Sequence, residues 1–228
     1  MLMINILKKI IHYTRNNFQT KSSSYLKHNL QYNEKDALDK TKIGYNKNHK
    51  DDLINSNVNK VDEYLMKYGD LRNTAVDIGC GGGWASAELS RRFEKVIGIE
   101  PSEQALKIAK EIYPPKKYPN IEWINDFAEN GLRHLEFEKP VFFFSGCVLS
   151  HLKDESVIQI CETICKITKN GSGFSFCENW GTEFHDYMWH VRTIDWWRNQ
   201  FPGWDINFHG PSIEGKKDRF QGLHGYKT

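Results

Sequence analysis

Two carboxylates and a run of glycines carry the most chemistry in this chain. Asp77 precedes Gly79-Cys80-Gly81-Gly82-Gly83-Trp84, and Glu100 ends the apolar run Val96-Ile97-Gly98-Ile99. Glycine lets a backbone turn sharply and approach a ligand without a Cβ in the way. A carboxylate that ends the next strand is placed to accept hydrogen bonds from a ribose diol, as in nucleotide-binding α/β folds. An acid two residues before the first glycine repels phosphate and suits an ammonium group.

The spacing discriminates between nucleotides. The dinucleotide fingerprint G-x-G-x-x-G uses its third glycine for close helix–strand packing. Here the glycines fall at Gly79, Gly81 and Gly83, and Trp84 holds the position of that last glycine. An indole there argues against a pyrophosphate pressed onto the helix N-terminus, and so against a nicotinamide dehydrogenase. Acid, G-x-G-x-G and strand-terminal Glu together resemble motif I and its successor in class I S-adenosylmethionine-dependent methyltransferases. The resemblance extends over residues 74–177.

The resemblance implies a set of cofactor contacts. Asp77, Gly79, Cys80, Gly81, Gly83 and Trp84 form the glycine turn; Glu100 and Pro101 adjoin the ribose. After the third strand, Asp126 and Phe127 match the family's acid-plus-hydrophobe pair beside adenine. Ser145-Gly146-Cys147 resembles motif IV, whose backbone carbonyls face the sulfonium and amino group, and Val148-Leu149-Ser150-His151-Leu152 resembles its continuation. Methyl transfer from a sulfonium needs alignment and water exclusion more than proton transfer. A base matters only for a hydroxyl or a protonated amine. His151 is the first candidate and His185 the second. No metal is implied, and Cys161 and Cys165 have no His or Cys pair close in sequence to complete a zinc site.

Residues 178–209 hold five of the seven tryptophans, with His185, His190, Arg192 and Asp195 interleaved. In the resembling family this insert covers the acceptor. Trp180, Trp189, His190 and Arg192 are therefore expected to bind substrate, and indoles beside imidazoles suit a sugar or another polar metabolite. Trp196, Trp197 and Phe201 are expected to anchor a last helix to the core.

These residues need elements to position them. Strands are expected at Ala75–Gly79, Lys95–Glu100, Ile121–Asn125, Val141–Ser145 and Gly173–Cys177. Helices are expected at Trp84–Arg92, Ser102–Tyr113 with Ser102 as N-cap, Asp154–Ile167 with Asp154 as cap, and Arg192–Phe201. Trp204–His209 and Gly222–Tyr226 close the sheet as an antiparallel hairpin. The alternation predicts an α/β fold: a Rossmann-like three-layer αβα sandwich on a seven-stranded, mostly parallel sheet. Residues 61–228 are read as the methyltransferase domain, opened by a helix at Val61–Tyr68. Residues 1–60 are read as an N-terminal helical extension or lid. Within it, Ile4, Leu7, Ile10, Ile11 and Phe18 share one helical face with basic residues elsewhere, which fits either packing on the domain or lying on a membrane surface.

Composition narrows the partners. The chain has 228 residues, is 39% hydrophobic and carries a formal net charge of +2, so no strong pull toward nucleic acid is expected. No run is long enough to span a bilayer, and no signal peptide is evident. Five cysteines without framework spacing are read as reduced thiols of a cytoplasmic protein. The reading is a methyltransferase of a small molecule, at hydroxyl oxygen first and nitrogen second. An RNA or protein methyltransferase and a non-catalytic binder of the same cofactor are the alternatives. Oligomeric state is not legible.

Overall fold

A parallel strand is buried on both faces, and the run Val-Phe-Phe-Phe at 141–144 satisfies that demand directly. Val141 and Phe143 join one core cluster, while Phe142 and Phe144 join the cluster on the opposite face. The computed structural model describes residues 61–62, 64–68, 72–178, 190, 192–209 and 221–228. Among them seven strands form one sheet: β1 (Thr74–Ile78), β2 (Lys95–Ile99), β3 (Ile121–Ile124), β4 (Val141–Gly146), β5 (Gly173–Glu178), β6 (Trp204–His209) and β7 (Gln221–Lys227). Their order is β3-β2-β1-β4-β5-β7-β6. The first five strands run parallel, and β7 pairs antiparallel with both β5 and β6.

The helices are α1 (Trp84–Leu89), α2 (Glu103–Ile112), α3 (Ala128–Gly131), α4 (Asp154–Ile167) and α5 (Ile194–Gln200). On one face, Val157, Ile160 and Ile164 of α4 and Trp197 of α5 pack against Val76, Ile78, Phe143, Phe174 and Phe176. On the other, Leu89 of α1 and the helical residues Val61, Tyr64 and Leu65 pack against Ala75, Val96, Phe142 and Phe144. The Tyr64 hydroxyl donates to the Gly225 carbonyl at 2.5 Å, pinning that leading segment across to β7. The result is a three-layer αβα sandwich.

Most expected elements are present, with four corrections. Asp154 does not cap α4: Lys153 occupies the N-cap without a side-chain bond, and Asp154 is the first helical residue. The last helix begins at Ile194, because the Thr193 side chain accepts from the Trp196 amide at 3.1 Å and so caps it there. The first helix ends at Leu89 rather than Arg92. Helix α3 and the 3-10 turns Leu132–His134 and Leu149–His151 are additions. Ser102 does cap α2, accepting from the Ala105 amide at 3.2 Å. The expected extension over residues 1–60 lies outside the described residues. No helix among the described residues is long and apolar enough to cross a membrane.

Candidate active site at the carboxyl ends of β1, β2 and β4

The strand order reverses at β1, whose neighbours are β2 on one side and β4 on the other. In open α/β sheets that reversal leaves a crevice outside the carboxyl ends of the strands. Here it is a shallow cleft, lined among others by Gly79, Ile99, Pro101, Phe127, Val148 and Leu152.

The glycine turn is fixed to the end of β2. The amides of Gly79 and Cys80 donate to the Ile99 carbonyl at 2.8 and 3.0 Å. Gly79 has φ +68°, and a Cβ there would come within 2.5 Å of the Val148 side chain. Gly83, at the N-cap of α1 with φ +80°, leaves room for Trp123, whose ring would lie 2.5 Å from a Cβ. These two positions require glycine on both conformational and steric grounds. Trp84, the first residue of α1, is half-buried and packs on the cluster that holds Leu89 and Phe93.

Two carboxyl groups converge on this turn. Glu100 is 1% exposed. Its Oε2 accepts from the Gly81 amide at 3.0 Å and its Oε1 from the Ser102 amide at 2.9 Å, so the group is anchored between the turn and the start of α2. Asp77 is buried, and the Ser86 hydroxyl of α1 donates to its Oδ2 at 2.6 Å. Burial pushes its pKa up to about 7, the Ser86 hydrogen bond pulls it down, and the charge of nearby Glu100 adds to the rise.

The third strand ends on the Asn125 side chain, which donates to the carbonyls of Glu100 and Pro101 at 3.0 and 3.1 Å. Asp126 follows, its Oδ1 accepting from the Phe127 amide at 2.7 Å and from the Asn130 side chain at 3.2 Å. Phe127 and Pro101 both line the cleft.

After β4 the backbone is strained. Cys147 has φ +59°, a conformation worth on the order of 1–3 kcal/mol that persists only where surroundings impose it. Its amide donates to the Cys177 carbonyl at 2.8 Å. Ser145 is buried, its hydroxyl donating to Glu178 at 2.7 Å. His151 is buried in the 3-10 turn that follows.

Two residues have places that differ from, or were absent from, the sequence expectations. Arg192 was expected to contact an acceptor, yet it is 3% exposed and committed to backbone. It donates to the carbonyls of Leu149 and Leu152 at 2.8 and 2.6 Å and pairs with Asp154 at 2.9 Å. Glu178 was read only as the start of the Trp-rich insert. It ends β5 fully buried, and its carboxylate takes the Ser145 hydroxyl and the amides of Val148 and Ser150. The signal was there: like Glu100, it is an acid that closes an apolar strand. His190 is half-buried, with its amide donating to the Ser150 carbonyl at 2.7 Å. Burial and then the neighbouring Arg192 lower its pKa. Trp180, His185 and Trp189 lie outside the described residues.

The donor set fits S-adenosylmethionine. Two neighbouring carboxyl groups, one able to ionise near neutrality and one held by backbone amides, complement a ligand bearing an ammonium and a diol and would repel a pyrophosphate.

Known proteins agree with this geometry. Residues 75–171 match the family described as "Methyltransferase domain". The chain is 32% identical over 113 residues to a ubiquinone biosynthesis O-methyltransferase of Nitrosomonas europaea, covering 48% of this chain and 45% of that protein. It thus spans less than half the length of that relative. Among solved structures, a complex titled "DhpI-SAM-HEP complex" superposes with TM-score 0.61 at 14% identity, covering 88% of this chain and 96% of the other. An rRNA methylase from Streptococcus thermophilus superposes with TM-score 0.55 at 17% identity, over 73% of this chain and 93% of the other, so the fold alone leaves the acceptor open. Glycine turn, strand-terminal acids and strand order agree with that match: residues 75–171 resemble a methyltransferase domain, on a fold shared with S-adenosylmethionine-dependent methyltransferases.

Proposed function

We propose that this protein transfers a methyl group from S-adenosylmethionine to a small polar acceptor, most readily a hydroxyl of a sugar or comparable metabolite. The observation that carries the reading is the pair of buried carboxyl groups, Asp77 and Glu100, beside the glycine turn at the strand-order reversal. In this reading Asp77 holds the ammonium and Glu100 the ribose. Asp126 and Phe127 receive adenine, Pro101 flanks it, and the carbonyls after Ser145 and Gly146 face the donor. Gly79, Cys80, Gly81, Gly83 and Trp84 shape the turn. When bound, the cofactor supplies a methyl already activated by its sulfonium charge. The protein's part is orientation and exclusion of water. An oxygen acceptor is supported by the O-methyltransferase activity named for the Nitrosomonas relative, and the formal net charge of +2 counts against a nucleic-acid partner. Residues 61–228 form the catalytic domain in this reading, with residues 1–60 an extension to it.

Calorimetric titration tests it: S-adenosylmethionine and S-adenosylhomocysteine bind, and NAD does not. Binding of NAD alone would sink the proposal. The titration also has a defined pH dependence. The ligand's ammonium stays charged below its amino pKa of about 7.7, and it favours ionised Asp77, whose pKa in the free protein is about 7. Binding therefore releases a proton below that value, so affinity for S-adenosylhomocysteine rises by about tenfold between pH 5.5 and 7. The Asp77→Asn variant loses most of that slope. The same shift has a stability counterpart with the opposite sign. Between the ordinary carboxyl pKa of 3.8 and about 7 the folded, ligand-free protein holds more protons than the unfolded chain, so its stability falls as pH rises.

A proton acceptor is expected only on the acceptor side. His151→Ala or His185→Ala lowers turnover on a hydroxyl substrate by roughly a hundredfold or more if that residue is the base, without weakening cofactor binding. Full activity in both variants would show that the acceptor reacts without either histidine.

A further inference from the structure

We propose that Glu178 and Arg192 are positioning residues that clamp the loop after β4 from two sides and thereby set the wall of the cofactor cleft. This rests on the methyltransferase reading for its meaning. Glu178 takes donors: the Val148 amide at 3.2 Å, the Ser150 amide at 2.9 Å and the Ser145 hydroxyl at 2.7 Å. Arg192 takes acceptors: the Leu149 carbonyl at 2.8 Å and the Leu152 carbonyl at 2.6 Å. Backbone groups of one short loop are thus divided between a buried carboxyl group, whose pKa burial raises and these hydrogen bonds lower, and a buried guanidinium.

The loop is where such control matters. Val148 and Leu152 line the cleft, and Val148 sits so close to Gly79 that a Cβ on that glycine would meet it at 2.5 Å. A shift of the loop therefore alters the cofactor's wall and the glycine turn together. Cys147, at the loop's start, keeps its φ of +59° only under such restraint. Burial lowers the basicity of Arg192, and the Asp154 carboxylate and then Glu178 oppose that fall.

The chemistry of each clamp residue is specific. Three donors converge on the two oxygens of Glu178. Glutamine would replace one oxygen by an NH2 group and set donor against donor. The planar fork of Arg192 reaches two carbonyls at once, which a lysine ammonium does not reproduce.

Hydrogen exchange at the amides of 147–152, read beside calorimetry with S-adenosylhomocysteine, tests the clamp. In Glu178→Gln, exchange at Val148 and Ser150 is expected to speed up by about tenfold or more, with β1 amides unchanged and ligand affinity down by about tenfold. Arg192→Lys, the second variant, is expected to show the same pattern through the opposite side of the loop. Unchanged loop exchange in both variants would overturn the proposal. So would a uniform rise that includes β1, the mark of a merely structural role, or faster loop exchange with unaltered ligand affinity. Absence of ligand binding in the unsubstituted protein would instead remove the methyltransferase reading, a result distinct from failure of the clamp.

Discussion

Trp197→Ala is expected to lower the melting temperature by roughly 6–20 °C. The side chain is fully buried in the larger core cluster, and truncating a buried Trp removes about 3–5 kcal/mol. For a domain of this size each kcal/mol moves the midpoint by about 2–4 °C. The indole meets Trp196 edge-on at 5.1 Å and lies 6.3 Å from Phe176, so the loss falls on the joint between α5 and β5. Its Nε1 has no hydrogen-bond partner among the described residues. Trp197→Phe should therefore retain most of the stability, since it deletes a buried donor along with part of the ring. A thermal melt of both variants, with S-adenosylhomocysteine affinity measured alongside, checks this. A small melting shift with lost turnover would place Trp197 against the acceptor instead.

Glu100→Ala is the largest expected effect on binding. Hydrogen bonds to a charged group contribute about 1.5–3 kcal/mol, which converts to a rise of about ten- to a hundredfold in the Kd for S-adenosylhomocysteine. The structure adds a second loss. The carboxylate also receives the amides of Gly81 and Ser102, so its removal leaves two donors unpaired and loosens the turn. Glu100→Gln keeps one acceptor and should fall between the two. Calorimetry separates these cases, and an unchanged Kd in Glu100→Ala would mean that the ribose lies elsewhere.

The sheet and its site were unequally legible in the sequence. Period-2 and all-apolar runs bounded by glycine announce strands such as Val141–Gly146, because a parallel strand must be apolar on both faces. The glycine turn and Glu100 are readable because their chemistry is local, within one strand–turn–helix–strand unit. Arg192 and Glu178 are not readable in the same way. Their partners lie tens of residues away on the loop after β4, and nothing in local spacing reports that a guanidinium points inward to carbonyls rather than outward to a ligand. Asp154 illustrates the same limit: its type suits a cap, yet it is the first helical residue and its carboxylate pairs with distant Arg192. Helix α3, at four residues, is too short for any period to show.

The order β5-β7-β6 also dictates a hazard during synthesis. β5 is buried along its whole length, yet its outer partner is not β6, the next strand to leave the ribosome, but β7. Until residues 221–227 have been made, β5 presents a row of open N–H and C=O groups flanked by Phe174 and Phe176. Such an edge is a template for pairing with another chain. A chain truncated between β6 and β7 is thus expected to aggregate rather than fold as a shortened domain.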